Sequence, residues 1–181
     1  MRSTPNLFLV GLISVLAIGI LAAQGPTGAQ RMKDRISREV RHELVMLPQF
    51  TIFDNLQYKI DGATVTLLGQ ANNAVLKYSA EKVVRKIEGV EQVKNQIEVL
   101  PASSGDDRLR RAIAHALFAE DSPLFRYSLG SVPPIHIVVK NGRVALEGVV
   151  DNQSDKNLAY MRAGAVPGVL SVENHLQVQT P

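Results

Sequence analysis

The chain has 181 residues, of which 45% are hydrophobic and 20% are charged, and it contains no cysteine and no tryptophan. This composition excludes collagen-like, coiled-coil and strongly disordered chains, and the lack of thiols excludes disulfide frameworks, thiolate metal sites and cysteine catalysis. The net charge of +3, from 20 basic and 17 acidic residues, is too small to indicate a charge-driven nucleic-acid binder.

The N-terminal segment has the layout of a secretory signal. One base, Arg2, precedes an apolar run without ionisable side chains, Leu7–Ala23, and small polar residues follow it. This order predicts a signal peptide over residues 1–29, cleaved before Gln30 or at a second candidate site after Ala23. An uncleaved membrane anchor stays open as the alternative, because the run is only slightly shorter than the about 20 residues that span a bilayer. In both cases the remainder of the chain is exported.

A helix and a β-hairpin are the first elements predicted beyond this segment. Apolar residues spaced for one helix face are Ile36, Val40, Leu44 and Leu47. Strands are predicted near 56–60 and 64–70 around the pair Asp61-Gly62. An Asp-Gly pair is typical of a tight hairpin turn because both residues tolerate positive φ.

A second helix and a last strand follow. The helix is predicted from about residue 73 to 88 and ends before Gly89, which takes the role of a C-capping glycine. The strand alternates polar residues with Val93, Ile97 and Val99. Residues 101–105, a short Pro/Ser/Gly stretch, predict a linker.

The elements after the linker begin with another helix. Its apolar stripe consists of Leu109, Ile113 and Leu117. Asp106 and Asp107 stand before this stripe, where they fit the N-cap and a first-turn acid.

A hairpin, a helix and a strand then repeat the earlier order. The hairpin strands are predicted near 135–140 and 143–150 around Asn141-Gly142. The helix runs from about residue 154 to 166 and is ended by Gly168. The last strand alternates through Val172, Leu176 and Val178.

The two halves agree at so many positions that we interpret them as an internal duplication. Each half has a turn glycine, a Val-x-Leu-x-Gly strand and, 20 residues after the last glycine of that strand, the pattern G-V-x-x-V-x-N-x-apolar-x-V. The matching residues are Gly62, Val65, Leu67, Gly69, Gly89, Val90, Val93 and Asn95, and then Gly142, Val144, Leu146, Gly148, Gly168, Val169, Val172 and Asn174. The first copy is interpreted with one extra residue between its turn glycine and its strand.

The predicted fold class is α+β. We expect two tandem αββαβ units, each a small mixed three-stranded sheet packed against two helices. The predicted domains are 34–100 and 106–179, joined by the linker 101–105.

These motifs resemble the BON domain, a family named for an osmotically inducible periplasmic protein and a nodulation protein. The resemblance covers nearly the whole chain beyond the predicted signal. It implies an exported protein of the cell envelope with tandem αββαβ domains, a link to osmotic stress, and binding to phospholipid surfaces or envelope partners without enzymatic activity.

The repeated motif residues are predicted to be structural. Glycines serve turns and helix ends, and an inward-facing Asn95 or Asn174 needs partners, which we expect to be backbone groups. This set comprises Gly62, Gly69, Gly89, Val90, Val93, Asn95, Gly142, Gly148, Gly168, Val169, Val172 and Asn174.

Basic residues on the helices are the candidate membrane contacts, because each base near an anionic lipid surface contributes about 1 kcal/mol. They are Arg35, Arg38, Arg41, Lys82, Arg85, Lys86, Arg108, Arg110 and Arg111. Acids are interleaved with them, so a solvated helix face with ion pairs is an equal alternative. Aromatic residues after each first helix belong either to the core or to a lipid interface: Phe50, Phe53, Phe118, Phe125 and Tyr127.

No catalytic, cofactor-binding or metal-binding residue is predicted. Ser79 and Lys82 match S-x-x-K but lack the companion motifs of a serine acyl-enzyme, and His42-Glu43 lacks the second histidine of H-E-x-x-H.

The leading hypothesis is a non-enzymatic envelope protein of the periplasm that associates peripherally with anionic phospholipid. The alternative is a protein-interaction or chaperone-like stress module that uses a sheet face or an edge strand. A hydrolase is the third and least supported hypothesis, and no nucleic-acid partner is expected.

Overall fold

The structure is a computed structural model, and it describes residues 27–130 and 132–179. Most of the predicted signal peptide therefore lies outside the described residues. Helix α1, Gly28–Val45, is N-capped by Thr27, whose hydroxyl oxygen accepts a hydrogen bond from the Gln30 N–H (3.2 Å). The described helix thus continues through the predicted cleavage site.

The first unit contains two helices on one sheet. Its elements after α1 are β1 (Asn55–Asp61), β2 (Thr64–Ala71), α2 (Ala74–Val84), β3 (Gln92–Asn95) and β4 (Glu98–Val99). Strand β2 is central: it pairs antiparallel with β1 and parallel with β3 and β4. The fully buried side chains of α1, β2 and α2 form the core, among them Ile36, Val40, Val65, Leu67, Leu76 and Val84.

The second unit repeats this architecture and adds one short helix. Its elements are α3 (Ser104–Phe118), a 3-10 helix (Pro123–Ser128), β5 (Ile135–Lys140), β6 (Arg143–Val150), α4 (Gln153–Gly164), β7 (Ser171–Asn174) and β8 (Gln177–Val178). The α+β class and the duplicated order are confirmed. Each predicted last strand is split in two, because the Asn95 and Asn174 side chains bond the Ile97 and Leu176 N–H groups at the break.

The two hairpins have the same length, so the extra residue expected in the first copy is wrong. Leu56 pairs with Gly69 as Ile135 pairs with Gly148, and the same spacing separates both pairs. The glycine has moved within the turn instead. It is the first turn residue in the first unit (Gly62, φ +56) and the second in the other (Gly142, φ +74, after Asn141, φ 52).

Two helix ends and one N-cap differ from the sequence prediction. Helices α2 and α4 end at Val84 and Gly164, and a further turn separates them from Gly89 and Gly168, which have positive φ. The N-cap of α3 is Ser103, whose Oγ accepts from the Asp106 N–H (3.2 Å).

Asp106 does not cap helix α3 as predicted, but bonds the hairpin turn of the second unit. Its side chain is 3% exposed. Its two oxygens accept hydrogen bonds from the Asn141 N–H (2.8 Å) and the Gly142 N–H (2.9 Å). The start of α3 therefore fixes the hairpin turn of the second unit.

Gly69 and Gly148 each stand where two backbones come close together. A Cβ on Gly148 would lie 1.9 Å from the Pro134 carbonyl oxygen, and one on Gly69 would lie 2.0 Å from that of Asn55. Both residues also have positive φ (+115 and +98). No L side chain fits at either position without moving the neighbouring strand.

We expect Gly148→Ala to lower the free energy of unfolding by about 3 kcal/mol or more, because backbone strain and a clash add together. Gly62→Ala is the matched control, since its φ is +56 but no atom lies within 4 Å of the added Cβ. It should cost only about 1–2 kcal/mol. Urea unfolding of both variants measures the difference, and equal losses would contradict the clash.

Candidate functional site

The helices of the first unit carry a continuous surface that contains several of the predicted membrane contacts. Lys86 lines two adjoining depressions, one of about 600 Å³ between α1 and α2 and one of about 440 Å³ on α2. Arg38 lines the first depression, and Tyr78, Lys82 and Arg85 line the second. We call these five residues the basic helical surface.

Four carboxylates line the same two depressions, Glu39, Glu43 and Glu88 in the first and Glu81 in the second. Arg35 pairs with Glu39 (3.1 Å) and Glu88 (3.5 Å), and Arg85 pairs with Glu81. Arg38, Arg41, Lys82 and Lys86 are exposed. The surface is therefore mixed in charge, as the interleaved acids of the sequence indicate.

Asn95 connects the sheet to this surface. Its amide donates to the Lys77 carbonyl oxygen (2.9 Å) and to Glu81 Oε2 (3.1 Å). The bond from Asn95 and then the pairing with Arg85 hold the pKa of Glu81 below its ordinary value. In the second unit, Asn174 makes the matching bond to the Lys156 carbonyl oxygen (2.8 Å).

On the equivalent helix of the second unit, three positions that are charged on α2 carry uncharged residues. The spacing that relates the two units places Tyr160, Met161 and Gly164 where α2 has Glu81, Lys82 and Arg85. Tyr160 and Met161 are 49% and 59% exposed. The two copies thus present chemically different helix faces on one framework.

Among the predicted contacts on α3, Arg108 and Arg111 are exposed but Arg110 is not. Arg110 is 2% exposed, and its guanidinium donates to the Val139 carbonyl oxygen (2.7 Å) and to Asp107 (2.5 Å). The prediction that Arg110 contacts a membrane is wrong, because this side chain turns inward to bond strand β5.

Of the aromatic residues after each first helix, Tyr127 is buried and the four phenylalanines are partly buried. Phe53 and Phe118 lie against the core of the second unit, and Phe50 lies against that of the first. Tyr127 of the 3-10 helix is 7% exposed. Its hydroxyl donates to Asp155 (2.7 Å) and accepts from the Asp151 N–H (2.8 Å). Burial raises its pKa to about 12.

The two units meet along β5. The side chains on the strand face that points away from the second core, at positions 136, 138 and 140, lie next to the first unit. His136 packs its ring on Phe50, with 5.3 Å between ring centroids. Val138 and Leu100 of the first unit, both nearly fully buried, line one small cavity. Lys140 pairs with Glu98 (2.5 Å).

The segment before β1 completes this joint. The Ile52 carbonyl oxygen accepts a hydrogen bond from the Ile137 N–H of β5 (2.7 Å). Ile52 and Phe53 pack against the core of the second unit. Asp54 is fully buried. Its carboxylate accepts hydrogen bonds from the Thr51 N–H, the Thr51 hydroxyl and the Asn72 N–H (2.7–2.9 Å), and these bonds fix the conformation of the segment.

A groove of about 680 Å³ opens beside this joint. The first unit contributes Arg41 and an apolar wall: Leu44, Val45, Phe50, Leu56 and Tyr58. The sheet of the second unit contributes Val149 and a polar row in which His175 Nδ1 lies 2.7 Å from Glu147. Sequence reasoning missed this site. The joint beside the groove had one signal in the sequence, Val138, which breaks the polar–apolar alternation of β5.

In residues 27–130 and 132–179, no group of three or more His, Asp or Glu side chains is placed to hold a metal ion. Over the same residues, no helix combines the length and apolar character that crossing a bilayer requires.

Comparison with known proteins gives one family. A family model of the BON domain matches residues 33–101 and 105–180. Osmotically-inducible protein Y of Escherichia coli (strain K12) is 31% identical to the chain over 134 residues. That match covers 69% of this chain and 62% of the relative.

Among solved structures, two of CdsD, a structural protein of the type III secretion system of Chlamydia trachomatis, align with the chain. The identities are 12% and 10%, the alignments cover 79% and 80% of this chain and 96% and 92% of the other, and both TM-scores are 0.32.

We expect Arg110→Ala to lower the free energy of unfolding by about 1–3 kcal/mol, because it leaves a buried carbonyl group without its donor. Arg108→Ala, two residues away on the exposed side, should change it by less than about 0.5 kcal/mol. Urea denaturation of both variants tests the burial of Arg110. Equal stability of the two would show that Arg110 is not held inside.

Proposed function

The chain belongs to the BON-domain family, and from that premise we propose that it is an exported, non-enzymatic protein that binds anionic phospholipid at the cell envelope. The basic helical surface of the first unit makes the contact, with Arg41, Arg108 and Arg111 as further exposed bases. The periplasm is the proposed location. A role in osmotic stress is proposed from the name of the Escherichia coli relative.

The observation that carries this proposal is the continuity of the basic helical surface. Lys86 lines both depressions, so Arg38, Lys82 and Arg85 belong to one continuous surface. Tyr78, 66% exposed at the edge of this patch, supplies an aromatic ring of the kind that settles at a lipid–water interface. The neighbouring carboxylates keep the attraction moderate, so binding should depend strongly on salt.

The double variant Lys82→Gln/Lys86→Gln tests the surface. Removing two bases that each contribute about 1 kcal/mol near an anionic membrane should weaken binding by about 30-fold. Co-sedimentation with vesicles of phosphatidylglycerol and phosphatidylethanolamine, at low and at physiological salt, measures the partition.

Lys59→Gln/Lys94→Gln is the matched control, because both exposed lysines lie on the sheet face away from the helices. It should bind the same vesicles as tightly as the parent protein does. Equal losses in the two double variants would point to net charge rather than to this surface. No binding at low salt would refute the lipid proposal itself.

A second candidate function, binding of an envelope polypeptide, is favoured by the groove between the units. Its apolar wall and polar row suit a chain segment with both kinds of side chain. Val149 is 43% exposed in the groove. Val149→Arg should abolish capture of such a partner from detergent-free, lipid-depleted envelope extract while vesicle binding stays unchanged. Capture that survives this variant would exclude the groove.

A further inference from the structure

His136 occupies an unusual position in the joint between the two units. It belongs to the outward row of β5, and its imidazole packs on the Phe50 ring of the other unit. Nδ1 is buried and has no hydrogen-bond partner among the described residues. The next residue, Ile137, makes the backbone bond to Ile52. Protonation of His136 would therefore place a positive charge in the contact between the two units.

The charged and titratable groups around His136 do not compensate such a charge. Asp54, in the segment before β1, already accepts three hydrogen bonds. Glu147, the cross-strand partner of His136 on β6, is held by His175 beyond β7. Arg41 of α1, in the same groove, is repulsive to a second cation, and Tyr58 of β1 also lines this groove.

Burial lowers the pKa of His136 below its ordinary value of 6.5. The backbone of Thr51 and Asp54, and the carboxylates of Asp54 and Glu147, oppose this effect but do not cancel it. The neutral ring is thus the form that fits the closed joint.

We propose that His136 is a pH-dependent latch between the two units: its neutral ring keeps the joint closed, and its protonation loosens the contact with residues 50–54. Loosening exposes Ile52, Phe53 and Val138 and widens the neighbouring groove. The latch regulates the relative placement of the units and does not depend on whether the groove or the helices bind a ligand.

The direction of the effect follows from proton linkage. The closed joint binds the proton less tightly than the open one, so its stability is complete above pH 6.5. It is lost as the pH falls below that value, down to the lowered pKa of the closed form. Carboxylates titrate mostly at lower pH, which leaves a window in which His136 can be observed.

The absence of cysteine makes a distance measurement simple, because two introduced thiols are the only labelling sites. Lys82→Cys on α2 and Asn157→Cys on α4 place one dye on an exposed helix of each unit. Energy transfer between the dyes should fall reversibly as the pH is lowered from about 8 to about 5, while circular dichroism shows that both units stay folded.

His136→Phe keeps an aromatic ring on Phe50 but cannot be protonated, so its energy transfer should be constant over this range. His115→Phe is the matched control, since His115 is exposed on α3 of the same unit; it should respond as the parent does. A pH-independent signal in the parent, or a full response in His136→Phe, would overturn the proposal.

A second measurement decides the case if His136→Phe does not fold. The NMR titration of the His136 ring in the unlabelled parent should have a midpoint below 6.5, the ordinary value for a histidine side chain. A midpoint at or above 6.5 would show that closing the joint does not depend on the neutral ring, and the latch would be refuted.

Discussion

Burial of both faces of β5 is the constraint on which the arrangement of the molecule depends. Ile135, Ile137 and Val139 fill the core of the second unit, while His136, Val138 and Lys140 meet the first. A strand covered on both sides fixes its neighbours on both sides. The backbone edge of β5 that does not pair with β6 is bonded as well. Arg110 bonds the Val139 carbonyl oxygen, and Ile52 bonds the N–H group of Ile137.

The residues that recur in both copies hold the shared framework together. Gly69 and Gly148 permit close backbone contact, and Asn95 and Asn174 tie the last strand to the second helix. These contacts lie inside each unit, so they leave the outer helix faces unconstrained. The outer face of α2, with its bases and acids, and that of α4, with Tyr160 and Met161, therefore differ on a single fold.

Local patterns predicted the fold well because they report local physics. The apolar stripe from Ile36 to Leu47 is buried as expected, and Gly62 and Gly142 stand in the hairpin turns, although Asp61 of the first predicted turn pair belongs to β1. What the pattern could not reveal depends on distant partners. Arg110 reads as an exposed base, since only the folded chain brings the Val139 carbonyl oxygen to it. The sequence could not show that the glycine takes a different position in the first turn, because the two copies correspond through the pairing of their strands and not through this glycine. The joint between the units is indicated in the sequence by one residue, Val138. It is apolar at a strand position where the alternating pattern predicts a polar side chain.

The packing of Ile52 and Phe53 makes the two units unequal as folding units. Within residues 27–130 and 132–179, the core cluster of the first unit is formed by its own side chains, whereas that of the second is completed by two side chains from the first. The first unit precedes the second along the chain, so folding from the N-terminus puts its segment before β1 in place before the second core closes. The order of the two copies in the gene thus matches the order in which their cores can be finished, and exchanging the copies would remove that advantage.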